Sequence, residues 1–170
     1  AMLITAVSFA LCMALHLILS NSFFGWDFLK SSMQLVFSTV SLSAMTIGQL
    51  QLAVAAAGFA SLLASVSFTL FLSSRCQNTV AALALALLFF LSPIILFMAS
   101  GGNGISWLRC LLPSGGVSIL GGFASEMTDF HFLHIGSRCV WTPYVILGAA
   151  LVEIPVFTGL TIRSYCRHSQ

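Results

Sequence analysis

Two long uncharged apolar runs, separated by one short polar break, occupy residues 45–98. The runs cover residues 50–72 and 79–98, and each is about as long as a helix must be to cross a hydrocarbon core of roughly 30 Å. Backbone polar groups find no partners in lipid, so a crossing segment must bond internally, as a helix does. Alanine and leucine dominate both runs, without the alternation typical of a barrel strand. The pattern predicts a helical hairpin that crosses a membrane twice.

Composition extends this prediction to the whole chain. Of 170 residues, 59% are hydrophobic and 6% are charged, against roughly a quarter charged in a soluble domain. The net charge of +2 is small and the basic residues are scattered, so no nucleic-acid partner is expected. We therefore predict an all-α, polytopic helical membrane protein with a single transmembrane domain over residues 1–170.

The remaining apolar runs supply a first and a last span. Four transmembrane helices are predicted, at about residues 1–20, 49–72, 78–99 and 143–163. No basic residue precedes Lys30, which argues against a signal peptide. Because the chain starts within hydrophobic sequence, we expect it to be part of a longer one.

Two connecting segments, residues 21–48 and 100–142, are more polar. The first is rich in serine and threonine, which favours an interfacial or partly re-entrant segment, with a further span at 33–50 as the alternative. Glycine and proline break the second, so its apolar pieces at 107–112 and 117–123 are expected to form short extracytoplasmic or interfacial helices.

The basic residues decide the predicted orientation. The first trio lies close to span ends: Arg75, Arg163 and Arg167. The second trio is spread over the two long connections: Lys30, Arg109 and Arg138. The positive-inside rule acts mainly on short segments beside spans, so the first trio and both chain ends are placed in the cytoplasm. The segments at 21–48 and 100–142 are then extracytoplasmic.

Glu153 lies inside the last predicted span, two residues before Pro155. A carboxylate at membrane depth is costly, which makes Glu153 a candidate for a polar translocation pathway or for a partner contact. The alternative is a carboxylate near the inner end of the span, paired with Arg163 or wetted by water.

Polar residues gather before the last span: Glu126, Asp129, His131, His134, Arg138 and Cys139. His131 and His134 have a spacing that metal ligands can share, but without a second paired motif a wet polar loop is the preferred interpretation, and no metal site is predicted. Cys110 and Cys139 would lie outside, where a disulfide is chemically permitted, although spacing alone cannot establish one and free thiols are favoured.

No catalytic motif is present. The sequence contains no G-x-x-x-x-G-K phosphate loop, no H-E-x-x-H and no G-x-S-x-G. Neither catalytic nor cofactor-binding residues are predicted, and a nucleotide-driven role would need a separate ATPase.

Several stretches resemble a known family. They are Met45-Thr46-Ile47-Gly48-Gln49-Leu50, the span ending Leu70-Phe71-Leu72-Ser73-Ser74-Arg75, Asn78-Thr79 before the run that contains Pro93, Val140-Trp141-Thr142-Pro143-Tyr144 and Ile162-Arg163-Ser164-Tyr165. Their hydrophobicity and punctuation resemble the membrane subunit of bacterial ABC transporters of the type-2 exporter class. That subunit has six spans, of which this chain resembles the C-terminal four. The two leading spans and the first cytoplasmic contact helix have no counterpart here.

The resemblance implies a function. Residues 73–78 match the cytoplasmic turn that touches the ATPase, which makes Arg75, Gln77 and Asn78 candidate ATPase contacts. The chain would be a permease subunit in the bacterial cytoplasmic membrane, paired with a second permease subunit and driven by a partner that binds ATP, and it would not itself be an enzyme. For Arg75, a positive-inside anchor is the alternative.

Two other classes of protein remain open. A non-transporting assembly or sensor subunit would need only helix-packing faces, and small residues at Ala56, Ala60 and Ala64 could supply one. A membrane-embedded enzyme would need convergent polar residues at membrane depth, of which the spans offer few besides Glu153 and His16.

Overall fold

The computed structural model describes residues 1–36, 45–76, 78–100, 106–118, 121–128, 131–135 and 137–168. Its helices in chain order are α1 (Met2–Phe24), α2 (Met33–Val36), α3 (Ile47–Arg75), α4 (Thr79–Ser100), α5 (Ser106–Cys110), α6 (Phe123–Thr128) and α7 (Thr142–His168), with a 3-10 helix at Trp26–Lys30. Two strands, β1 (Phe132–Ile135) and β2 (Arg138–Trp141), form an antiparallel hairpin.

Within these residues, four helices are long and apolar enough to cross a membrane: Met2–Phe24, Ile47–Arg75, Thr79–Ala99 and Thr142–Cys166. The prediction of an all-α polytopic protein with four spans is confirmed. Large apolar side chains cover the outside of α1 and α4, as expected of surfaces that face lipid.

The centre of the bundle is the contact between α3 and α7. Ala60 and Ala64 of α3 are buried against Ala150 of α7, because small side chains let two helices approach closely. Ala57, not the predicted Ala56, continues this buried face, and Ala56 is exposed. At the far end, the Ser164 hydroxyl donates to the carbonyl of Ser74 at 3.3 Å, so the two helices run in the same direction.

The segment between α1 and α3 folds back on itself. The Met33 N–H donates to the Met45 carbonyl and the Ile47 N–H donates to the Ser31 carbonyl, both at 3.0 Å, which brings residues 32 and 46 side by side. The Thr46 side chain caps α3 in a capping box with Gln49. The alternative of one continuous span at 33–50 is wrong, since α3 begins separately at Ile47; residues 37–44 lie outside the described part.

Residues 111–118, which we call the re-entrant loop, reach into the bundle. The Ser65 hydroxyl donates to the Pro113 carbonyl at 2.9 Å, and the Ser114 hydroxyl donates to the Phe89 carbonyl at 3.1 Å. Phe89 lies about 15 Å from the first residue of α4, at 1.5 Å per residue, which is half the length of that helix. The tip of the loop therefore lies at half the depth of the membrane, where irregular backbone is tolerated only when protein surrounds it.

Pro93 explains why Phe89 can accept this bond. Proline has no N–H, so the carbonyl four residues earlier is left without its helical partner. The Ser92 hydroxyl donates to the Phe89 carbonyl at 2.7 Å, and Ser114 adds the bond from the re-entrant loop.

Short elements close the same end of the bundle, and we call α5, α6, β1 and β2 the cap. The predicted helix at 107–112 is present as α5, but the one at 117–123 is wrong, because residues 117–118 belong to the re-entrant loop and the next helix starts at Phe123. Gly121 has a φ of +68°, which favours glycine and turns the chain into α6. The hairpin was not predicted, although β-branched and aromatic residues flank Gly136-Ser137 in the sequence.

Candidate functional site

The turn between α3 and α4 holds the predicted ATPase contacts. Arg75 is exposed at the end of α3, with its guanidinium carbon 5.8 Å from the centroid of the Phe71 ring. The Asn78 side chain accepts a hydrogen bond from the Val80 N–H at 2.9 Å and so caps α4. Gln77 lies outside the described residues. The structure thus presents an exposed cation, Arg75, at this turn end, beside an asparagine that has a local structural role.

An aromatic cluster ties the turn end to the rest of the bundle. Phe157 of α7 packs edge-on against Phe68 of α3, with ring centroids 5.0 Å apart, and also contacts Phe71 at 6.0 Å. Phe68 meets Phe89 of α4 in a second edge-on contact at 4.9 Å. With the bond from Ser164 to Ser74, these contacts join three spans between the turn and the middle of the bundle.

Glu153 lies near the middle of α7, about 16 Å from its first residue at 1.5 Å per residue. Its side chain is half-buried, and its Oε2 atom is buried without a hydrogen-bond partner among the described residues. In the same part of the chain no ion pair joins it to Arg163. The predicted position of Glu153 within a span is confirmed, and none of the described residues forms an ion pair with it.

The cap contains an ion pair that the sequence did not predict. Arg109 Nη2 lies 2.6 Å from Glu126 Oε1, and the two side chains are only 5% and 1% exposed. The second carboxylate oxygen, Glu126 Oε2, lies 3.3 Å from Nδ1 of the half-exposed His131. Removing charges from water is costly, so such a pair persists only when both partners stay together.

The surroundings of this pair join the cap to two spans. The Arg109 guanidinium lies 5.1 Å from the Phe97 ring of α4, and Glu126 belongs to α6, which packs against α7. Cys110 is buried beside the pair, and burial raises the pKa of its thiol to about 11, with Arg109 opposing the shift. We call the buried pair of Arg109 and Glu126 the clamp, because it joins α5 to α6 and its arginine also contacts Phe97 of α4.

The candidate metal ligands do not assemble. Among the described residues, no three histidine, cysteine or acidic side chains are grouped in a way that could hold a metal. His134 and Cys139 are paired across the hairpin, with Nδ1 and Sγ 3.2 Å apart, while His131 faces Glu126 instead. Asp129 lies outside the described part. Cys110 and Cys139 are both free thiols, as favoured from the sequence.

The four spans, with the re-entrant loop between two of them, define a multi-pass helical membrane protein. Comparisons of the chain with family models, with curated proteins and with solved structures find no match. The assignment to this class therefore rests on the length, apolarity and packing of the helices.

Proposed function

We propose that this chain is a permease subunit of an ATP-driven exporter in the bacterial cytoplasmic membrane. It works with a separate ATPase, which binds the nucleotide, and with a second permease subunit. In this proposal the chain itself is not an enzyme and carries no cofactor.

The observation that supports this proposal best is the physical connection between the turn end and the cap. The turn is anchored to α7 through Ser164 and the Phe157 contacts. From there α3 and α4 lead to the re-entrant loop, which is hydrogen-bonded to both helices at half depth. Packed helices of this kind move as units, so a push at the turn reaches the opposite end.

The mechanism follows from that connection. Closure of the partner ATPase on ATP pushes the turn and tilts α3 and α4 against α7. The re-entrant loop moves with its two partners, and the two membrane faces open in alternation. Glu153 supplies a polar group along the path, because its buried Oε2 has no partner among the described residues.

Reversal of one charge at the turn tests the ATPase contact. Arg75→Glu should lower the amount of nucleotide-binding subunit that co-purifies with the tagged chain at least tenfold, because like charges at an interface cost several kcal/mol. Arg163→Glu is the matched control, since Arg163 is also exposed near the turn end but lies on α7. Quantitative mass spectrometry of the purified complex measures the outcome, with membrane levels checked for both variants.

Undiminished ATPase recovery with normal insertion of Arg75→Glu would contradict a coupling role for Arg75. Equal losses in both variants would point to a general effect of charge on insertion. If the unaltered chain co-purifies with other membrane proteins but with no nucleotide-binding subunit, the alternative of an assembly or sensor subunit would be favoured.

The same complex tests Glu153. Glu153→Gln keeps the shape and removes the charge, so membrane levels should be preserved while ATP-dependent export falls. Unchanged export would remove Glu153 from the pathway.

A further inference from the structure

A cavity of about 440 Å³ lies between α1, α3 and the inner side of the cap. Its size falls within the roughly 300–1,000 Å³ that small-molecule sites occupy. It is lined by Phe9 and Met13 of α1, by Gln51, Val54, Ala55 and Gly58 of α3, and by residues of the re-entrant loop and α6. Most of this lining is apolar, and the polar side chains Gln51 and Ser118 come from the start of α3 and from the re-entrant loop.

The cavity lies along the cap-side half of α3. Gln51 lies about 6 Å along α3 and Gly58 about 16 Å along it, at 1.5 Å per residue. Both positions fall in the first half of the 29-residue α3, so along this helix the cavity extends over about 10 Å on the cap side, within the roughly 15 Å of one leaflet. Phe9 contacts Phe59 with ring centroids 5.2 Å apart, which closes the deep end.

The cavity lies beside a helix whose outer surface is apolar and exposed. It is partly open, and its α1 wall belongs to a helix on which Leu11, Leu15 and Ile18 are each more than half exposed. An acyl chain from the bilayer would meet apolar side chains both on the outside of α1 and on most of the cavity wall. A polar ligand from water would leave its hydrogen-bonding groups largely unpaired against this lining.

We propose that this cavity binds one acyl tail of a phospholipid from the leaflet on the cap side. The tail lies along α3 between Phe9 and Val54, and the headgroup stays at the membrane surface near Gln51. The assignment does not depend on whether the chain belongs to an exporter.

Gly58 offers a direct way to fill the site. A Cβ added at Gly58 meets nothing within 4 Å and Gly58 lines the cavity, so Gly58→Leu is expected to place its side chain in the cavity. Gly148→Leu is the matched control, because Gly148 of α7 has equally open surroundings and does not line this cavity. Ala55→Leu, from another wall position, provides a second filling variant.

The experiment uses the full chain in phosphatidylcholine vesicles that contain a small fraction of phosphatidylcholine with a diazirine in one acyl tail. After irradiation, mass spectrometry should find more crosslinks at Phe9, Met13 and Val54 than at the exposed α4 residues Val80 and Leu83. Gly58→Leu and Ala55→Leu should each lower the cavity crosslinks at least fivefold, and Gly148→Leu should leave them unchanged.

Equal crosslinking of the cavity and the α4 surface would overturn the proposal. So would undiminished labelling in both filling variants. A parallel sample with a diazirine fatty acid distinguishes the ligand: cavity labelling by the fatty acid alone would overturn the phospholipid assignment.

Discussion

Arg109 and Glu126 show how a few charges can organise a chain with so little charge. Both side chains are buried in the cap, and their 2.6 Å contact links α5 to α6 across 17 positions of sequence. The pair Lys30 and Asp27 is also an ion pair, at 3.2 Å, yet both of its side chains are almost fully exposed. Burial, more than the distance between the charges, determines how much stability is lost when one partner is removed.

Arg109→Ala should therefore destabilise the protein by roughly 3–5 kcal/mol, because it leaves the Glu126 carboxylate buried and unpaired. Lys30→Ala is the matched control and should change stability little, since an exposed pair is screened by water. Thermal unfolding of the purified variants in detergent measures the difference. Equal melting temperatures for the two variants would show that the buried pair does not hold the cap.

At the scale of secondary-structure elements, hydropathy predicted the spans because each crossing helix must itself be long and apolar and must pair its own backbone polar groups. A run such as residues 79–98 carries that information locally, whatever its neighbours are. The re-entrant loop is different. Pro113 and the glycines around it predict a break, but the depth of the loop is set by Ser65 and by the Phe89 carbonyl, which are distant in sequence.

The candidate functional residues also fall into those that the sequence predicts and those that it does not. The positions of Arg75 and Glu153 within a turn and a span could be predicted from the sequence, since they depend only on the spans. The clamp could not, because nothing in a glycine-rich segment fixes which residues meet after it folds. One signal was available: Glu126 and Arg109 are two of only ten charged residues, and a charge buried in a membrane protein needs a partner.

Gly116 is where the re-entrant loop meets the helices most closely. A Cβ at this position would collide with Ser61 Oγ and would lie 3.0 Å from a methyl carbon of Ile146. Gly116→Val should therefore destabilise the protein by at least about 1–3 kcal/mol, the usual effect of overpacking. Thermal unfolding measures the change, and Gly58→Ala, in open surroundings, is the control.

A second change at Ser61 should compensate for part of the stability that is lost at Gly116. Gly116→Ala combined with Ser61→Gly removes the main collision and should recover part of the stability that Gly116→Ala alone loses. No loss in Gly116→Val would mean that the loop does not pack against α3 at this depth.

At the scale of the whole molecule, the described residues form two ends with different chemistry. The cap end has the clamp and the hairpin, and the turn end has Arg75 and the short connection to α4. Because α3 separates these ends by a full span, one cysteine from each end can report the orientation.

We expect a membrane-impermeant maleimide to label Cys139 in intact cells and Cys76 only after permeabilisation. Cys139 is exposed on the hairpin, and Cys76 is partly exposed at the turn. Cys110 should stay unlabelled at pH 8 on either side, because it is buried and its pKa of about 11 keeps the thiol protonated. Labelling of Cys76 in intact cells would reverse the predicted orientation.

The pairing of α3 with α7 also has a consequence for how the protein is made. The 66 residues between these helices must be synthesised before α7 begins, which takes about 3–13 s at roughly 5–20 residues per second. During that interval the face of α3 that carries Ala60 and Ala64, both buried against Ala150 in the finished bundle, has no α7 to cover it. A ribosome that stalls before residue 142 would leave this face open to lipid and to membrane proteases. We therefore expect the exposure of the nascent chain to proteases to depend on how soon α7 follows α3.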